Sequence, residues 1–181
     1  MKSLKTFLPI CLLCLYLAGF AQKKQETTPF NTALEKIILD FPSAFANVKG
    51  EEILKDDSEI RYESRIELPG TEDCMVNANS TGTKKITNWE AVFITTATYE
   101  EAEKAYKKLY HQLIACRFNV KSKTPVSLIG KWISPEPDEN FSATILTLSS
   151  ASGIYRKMAI ELELVKMLDE WKVNLRVKEN G

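Results

Sequence analysis

The sequence has few of the residues on which common catalytic and metal sites depend. His111 is the only histidine among 181 residues, so a Ser-His-Asp or Cys-His site has to use it. The apolar spacing of its predicted helix turns His111 away from the core. Zinc needs several Cys or His ligands at regular spacing, and the sequence has none. We therefore predict no catalytic residue and no metal site, and we expect His111 to be dispensable.

Glycine is also scarce, with seven residues in the chain. The sequence contains no G-x-G-x-x-G, G-x-x-x-x-G-K-[ST] or G-x-S-x-G motif, so it indicates no phosphate-cradling loop and no nucleophile elbow. We predict no cofactor and no cofactor-binding residue. The remaining chemistry rests on carboxylates, which cluster in predicted loops without calcium-loop spacing and are typical of solvated turns: Asp56-Asp57, Glu72-Asp73, and Glu136 with Asp138-Glu139.

Charge of one sign is not in excess. Lys plus Arg and Asp plus Glu number 24 each, whereas a nucleic-acid-binding chain is strongly basic. The apolar fraction of 44% and the charged fraction of 27% are typical of a folded globular protein. Composition therefore excludes disorder as the main expectation and predicts no nucleic-acid partner.

A long apolar run occurs once, at the start of the chain. Lys2 and Lys5 precede the apolar segment 7–20, which is short for a membrane span, and small residues stand before Gln22. We predict a signal peptide over 1–21, a flexible segment over 22–28, and export to the periplasm or the medium. The alternatives are an uncleaved anchor and a lipid anchor at Cys11 or Cys14. No later run reaches membrane length, so we predict no span after cleavage.

Cleavage leaves two of the four cysteines, Cys74 and Cys116. An even pair in an oxidising compartment favours a disulfide that ties the end of a helix to the sheet. The alternatives are two buried free thiols and a redox pair, although the sequence has no C-x-x-C.

The stretch 89–118 changes period and organises the rest of the chain. Trp89–Thr96 is rich in aromatic and β-branched residues and predicts a strand. A helix follows, which Thr98 and Glu101 cap as a capping box. Its buried face has spacings of four and three residues and comprises Ala102, Tyr106, Leu109, Leu113 and Cys116.

Two helices and six strands are predicted in all. The first helix spans 32–47, capped by Thr32 and Glu35, with a break near Asp40 caused by Pro42. The strands cover 59–68, 74–78, 86–96, 141–149, 154–167 and 171–178. Strand 59–68 alternates, which places Ile60, Tyr62, Ile66 and Leu68 inward and Arg61, Glu63, Arg65 and Glu67 outward in a solvated face.

These elements predict one α+β domain over 29–181. It has an antiparallel sheet of about six strands with both helices on one face, in the order α-βββ-α-βββ. The segment FANVKG after the first helix and FNVKS after the second raise an internal duplication as an expectation.

Trp132 is the best candidate for a contact residue. It follows Gly130-Lys131 and precedes an acidic, proline-rich loop, whereas Trp89 and Trp171 lie in strand patterns and are expected in the core.

The segment 45–50, the alternating strand that ends at Pro69-Gly70, then Cys74, and Cys116 near a helix end form a loose pattern. In these features the chain resembles small exported bacterial proteins of unknown function. The resemblance implies a compartment and a fold, and it assigns no functional residue. The leading functional hypothesis is an exported binding protein whose partner is a protein or a small molecule. The alternatives are an envelope enzyme with a carboxylate or hydroxyl site, and a structural or inhibitor-like partner of an envelope protein.

Overall fold

The computed structural model describes residues 28–81, 84–120 and 124–180. The predicted signal peptide therefore lies outside the described residues, as does the flexible segment up to residue 27. Within these ranges the chain forms two helices and eight strands, with short 3-10 turns at Phe41–Ser43 and Gly153–Lys157: α1 Pro29–Asp40, β1 Lys49–Lys55, β2 Glu59–Ser64, β3 Asp73–Thr81, β4 Lys84–Thr96, α2 Tyr99–Ala115, β5 Leu128–Ile129, β6 Phe141–Leu148, β7 Met158–Met167 and β8 Glu170–Glu179.

The strands form one antiparallel sheet in the order β1-β2-β3-β4-β8-β7-β6-β5. Each helix is followed by a four-stranded meander, and the two meanders meet where β4 pairs with β8. The α+β class and the antiparallel sheet are confirmed. The prediction of six strands in the order α-βββ-α-βββ is wrong, because four strands follow each helix.

The two missed strands lie at the two edges of the sheet, where the sequence signal is weakest. β1 is largely exposed and charged, and its pairing with β2 has two irregularities, so it shows no clean alternation. Charges on an edge strand hinder pairing with other chains. β5 has only two residues. Neither strand could be recognised from a period of two residues.

Helix α1 begins earlier and ends earlier than predicted. The hydroxyl of Thr28 accepts a hydrogen bond from the Asn31 amide at 3.2 Å, so Thr28 caps the helix in place of Thr32. The helix ends at Asp40 before Pro42, which confirms the predicted break. The carboxylate of Asp40 then accepts from the amides of Asn47 and Val48 and fixes the turn into β1.

Helix α2 buries the face that the sequence predicts, with Ala102, Tyr106, Leu109 and Leu113 at 3% exposure or less. The capping box is different from the prediction. The Thr98 side chain makes no cap hydrogen bond, and the Thr96 hydroxyl donates to the Glu101 carboxylate instead.

Both helices and alternate residues of the sheet form one apolar core on one side of the sheet. The ring of Phe30 in α1 lies 6.2 Å from that of Phe93 in β4, and the Asn31 side-chain amide joins α1 to the end of α2 by donating to the carbonyl of Arg117. Trp89 is fully buried, and its indole N–H donates to the hydroxyl of Ser64 at 2.8 Å. We call this side the covered face.

Strand β2 ends four residues before its predicted end, because Ser64 turns the chain. The Ser64 hydroxyl donates to the carbonyl of Ile66 and accepts from its amide. Of the predicted inward residues, Leu68 is buried and Ile60, Tyr62 and Ile66 are half-buried. Glu63, Arg65 and Glu67 are exposed as expected. Arg61 is half-buried, so the outward face is not solvated along its whole length.

The predicted Cys74–Cys116 disulfide is absent from the structure, where both cysteines are free and buried. Each thiol has a partner of its own. The Cys116 thiol donates to the Gln112 carbonyl, and the Cys74 sulfur lies 3.4 Å from the Thr71 hydroxyl. Burial raises the pKa of Cys116 to about 11 and also raises the pKa of Cys74.

Within the described ranges, no helix has the length and hydropathy needed to cross a membrane.

Candidate functional site

The face of the sheet opposite the helices carries a groove of about 640 Å³, which we call the open-face groove. Six neighbouring strands line it. The lining residues are Glu59 and Arg61 of β2, Met75, Asn77 and Asn79 of β3, Asn88, Glu90 and Val92 of β4, Lys172, Asn174, Arg176 and Lys178 of β8, Glu163, Val165 and Met167 of β7, and Phe141 of β6.

The alternation of the strands places these side chains together. In β8, Trp171, Val173, Leu175 and Val177 enter the core, so the residues between them face the groove. Register then aligns them with their neighbours, because Arg176 pairs with Glu90 on one side and with Glu161 on the other. The same alternation sends Glu163 of β7 to the groove, next to Asn174.

Arg176 lies at the centre of the groove between two carboxylates. Its Nε atom is 3.1 Å from Glu90 Oε2, and its Nη1 atom is 2.6 Å from Glu163 Oε1. Beside this cluster, Lys178 Nζ is 2.5 Å from Glu161 Oε2. Charge-assisted hydrogen bonds of this length hold the guanidinium and both carboxylates in a fixed geometry.

Burial changes the acid–base properties of the cluster. The pKa of Glu163 is raised to about 7, chiefly by burial; Arg176 opposes the shift, and the nearby carboxylates of Glu161 and Glu90 contribute to it. The pKa of Arg176 is raised as well, because its contacts with Glu90 and Glu163 outweigh burial. Glu163 therefore titrates near neutral pH, whereas Arg176 keeps its charge.

Three amide oxygens in the groove are buried without a hydrogen-bond partner, namely Oδ1 of Asn77, Asn79 and Asn174. Asn77 and Asn174 are each only 5% exposed. The Asn77 Nδ2 group donates to Glu90 Oε2 at 3.0 Å, so its amide is oriented while its oxygen stays unpaired. Buried acceptors are normally satisfied in native proteins, which makes three in one groove an observation that needs a cause.

The groove has an apolar wall at the β6–β7 side, where Phe141 pairs with Val165 and Met167 lies nearby in β7. Met75 and Val92 also line the groove, beside Glu90 and Asn174 of the polar floor. Phe141 is 54% exposed and Met167 is 56% exposed. The groove therefore offers a polar floor together with accessible apolar contact area.

The residues that the sequence singles out do not line this groove. His111 is exposed on α2. Trp132 is half-buried, and its ring lies 5.2 Å from that of Tyr106 and 4.6 Å from that of Tyr110, on the covered side. Its role as a contact residue stays a prediction. Among the described residues, no group of three or more His, Cys, Asp or Glu side chains is placed to hold a metal ion.

A signal for the groove is nevertheless present in the sequence. Glu161 and Glu163 interrupt the apolar strand β7, and Asn174 and Arg176 occupy the matching positions of β8. Two central strands with complementary polar residues at the same register predict a buried polar cluster.

Comparisons with protein-family models, with curated proteins and with solved structures find no significant match. The resemblance to exported proteins of unknown function therefore gains no support from them, and the functional argument rests on the groove.

Proposed function

We propose that the protein is an exported binding protein and that the open-face groove holds its ligand. The volume of about 640 Å³ falls within the range of 300–1,000 Å³ that is usual for small-molecule pockets. Most of its lining residues are polar or charged, so the groove is more polar than an ordinary small-molecule pocket and suits a polar ligand.

The observation that carries the proposal is the set of unpaired amide oxygens of Asn77, Asn79 and Asn174. An unpaired buried acceptor costs about 1–3 kcal/mol relative to a satisfied one. A ligand that donates to these oxygens removes that cost on binding. Conflicts between sequence and stability of this kind concentrate at functional sites.

A thermal-shift screen of small molecules tests the proposal. The screen compares the wild type with Asn174→Leu, which removes a groove acceptor, and with Ser142→Ala. Ser142 is the matched control because its Oγ is also buried without a hydrogen-bond partner. Its side chain lies on the covered face, where Ser142 is opposite Leu164 in the neighbouring strand. Ligands of the groove stabilise the wild type and Ser142→Ala and fail to stabilise Asn174→Leu. If every stabilising compound acts equally on all three proteins, the groove is not the binding site.

Export is supported by the basic start, the short apolar run and the small residues before Gln22. We expect mass spectrometry of the exported protein to find a chain that begins near Gln22. An intact Met1 on membrane-bound protein contradicts this part of the proposal.

A second candidate function is that of an enzyme, and the carboxylate cluster is the observation that favours it. Glu163 has a pKa near 7 and lies in the groove, with Glu90 on the other side of Arg176. A carboxyl group with a pKa near the working pH is suited to general acid–base catalysis.

Glu163→Gln separates the two candidates because it keeps the shape of the side chain and abolishes proton transfer. An enzyme loses turnover and keeps ligand affinity, whereas a binding protein shows no turnover of its ligand in either form. Product analysis by mass spectrometry after prolonged incubation with each groove ligand gives the readout.

A further inference from the structure

We propose that the ligand of the open-face groove is an uncharged oligosaccharide. This inference deepens the proposed function, since it assumes that the groove binds a ligand and names the chemical class. Four properties of the groove support it: its unpaired acceptors, its balance of charge, its apolar wall and its length.

The unpaired oxygens of Asn77, Asn79 and Asn174 require hydrogen-bond donors on the ligand. The same groove exposes a donor, since Lys172 lines it and forms no ion pair within the described parts of the chain. A hydroxyl group donates and accepts at once, so a ligand rich in hydroxyls satisfies both kinds of group along the floor.

Most cations of the groove have a carboxylate partner. Arg61 is paired with Glu59, Arg176 with Glu90 and Glu163, and Lys178 with Glu161, which lies beside the groove. Among the described residues, Lys172 is the one lining cation with no ion pair, so the groove has no strong field of either sign to attract an ionic ligand. The carboxylates and the guanidinium neutralise one another, and they can still form hydrogen bonds with an uncharged ligand.

The apolar wall fits the other surface of a sugar. A pyranose ring presents its hydroxyls at the rim and its C–H groups on its faces. The exposed ring of Phe141 and the side chains of Val165 and Met167 lie beside the polar floor, where they can pack against such a face. Neither a fully apolar ligand nor a small polar ion uses both surfaces.

The groove is long as well as polar. It extends from β2 to β6 across six neighbouring strands, and strands lie about 4.8 Å apart, so its length is roughly 24 Å. This length suits a chain of several sugar rings and is excessive for a single one.

NMR titration of the uniformly ¹⁵N-labelled protein, without residues 1–21, tests the inference. The probes are cellotetraose, maltotetraose and chitotetraose at concentrations up to roughly millimolar, with capped tetra-alanine and spermidine as probes of other classes. We expect at least one tetrasaccharide to shift amide signals of β3, β4 and β8 in a saturable manner. Asn174→Leu weakens that affinity by about tenfold or more, and Ser142→Ala leaves it within about twofold.

The outcomes separate this inference from the function on which it rests. If tetra-alanine or spermidine shifts the groove signals and no tetrasaccharide does, the saccharide class is wrong and the groove remains a binding site. If no tetrasaccharide shifts them and no compound of the thermal-shift screen depends on Asn174, both proposals are overturned. Because the shifts are mapped on the wild type, the result does not depend on how a variant folds.

Discussion

The two faces of the central sheet are built from the same strands and obey different rules. On the covered face, side chains such as Trp89 and Leu175 are fully buried under the helices, and the indole N–H of Trp89 is paired. On the open face, Asn77 and Asn174 are buried almost as deeply, and each has an oxygen without a partner. The difference shows that burial alone does not make a core. The covered face packs mainly apolar side chains, whereas the open face carries buried polar groups whose hydrogen bonding is incomplete.

The central pair of strands makes the comparison sharpest. Leu175 and Arg176 are adjacent in β8, yet Leu175 enters the apolar core while Arg176 joins Glu90 and Glu163 in the groove. A one-residue shift in register exchanges these environments. The pairing of β8 with β7 extends without irregularity from Met158 to Met167, which fixes the register and with it both faces.

The largest expected effect comes from the covered face. Trp89→Ala removes a fully buried ring and leaves the Ser64 hydroxyl without its donor, so we expect the free energy of unfolding to fall by about 3–5 kcal/mol. Phe141→Ala on the open face is the control and changes it by less than about 1 kcal/mol, because that ring is 54% exposed. Urea unfolding measures both variants. Equal losses contradict the assignment of the two faces.

A smaller effect is expected from pH. Glu163 has a pKa of about 7 in the folded protein against 4.5 when unperturbed, so the folded state holds its proton over a range in which the unfolded state releases it. The free energy of unfolding therefore falls as the pH rises from about 4.5 to about 7, by about 2 kcal/mol after allowance for solvent access.

Glu163→Gln tests the pH effect, because Gln cannot ionise and still accepts a hydrogen bond from Arg176. The groups facing Glu163 are Arg176, Glu161 and Glu90. We expect the variant to lose most of the slope in urea unfolding measured across this range. If the pH dependence of the free energy of unfolding is unchanged in the variant, Glu163 is not the group that takes up the proton on folding.

Ser142→Ala sharpens the comparison with a modest gain on the covered face. The Ser142 hydroxyl is buried without a partner, so its removal stabilises the protein by about 1 kcal/mol. Differential scanning calorimetry checks the gain. A loss of stability contradicts the view that this hydroxyl is unpaired in solution.

Reduction gives the smallest expected effect. Because Cys74 and Cys116 are free in the structure, dithiothreitol leaves the melting temperature of the chain without residues 1–21 unchanged. Burial and raised thiol pKa values make the native protein react slowly with a thiol reagent, and two thiols per chain react after unfolding. If the melting temperature falls by several degrees on reduction, and no thiol can be titrated before reduction, the two cysteines form a disulfide in solution.

The covered face could be predicted from the sequence better than the open face. Apolar residues at spacings of three and four identified the buried side of α2, and the strand pattern identified β7 and β8 of the second meander. Both signals come from a single element that packs against an apolar layer.

The parts that sequence failed to predict depend on contacts between distant segments. The edge strands β1 and β5 owe their pairing to their neighbours, since neither has a clean alternation of its own. The groove requires β4, β7 and β8 in register, and Glu90 is 86 positions away from Arg176 along the chain. The structure shows both cysteines free, although the prediction placed them together because a helix end packed on the sheet can bring Cys116 near Cys74.

The most direct test of the account is a combined measurement of stability and ligand affinity for Asn174→Leu. The account predicts that the variant is as stable as the wild type or more stable, since a buried unpaired amide is replaced by an apolar group of similar size, and that it binds groove ligands at least about tenfold more weakly. A variant that is clearly destabilised while binding groove ligands with unchanged affinity contradicts it, because Asn174 then serves the fold and not the ligand.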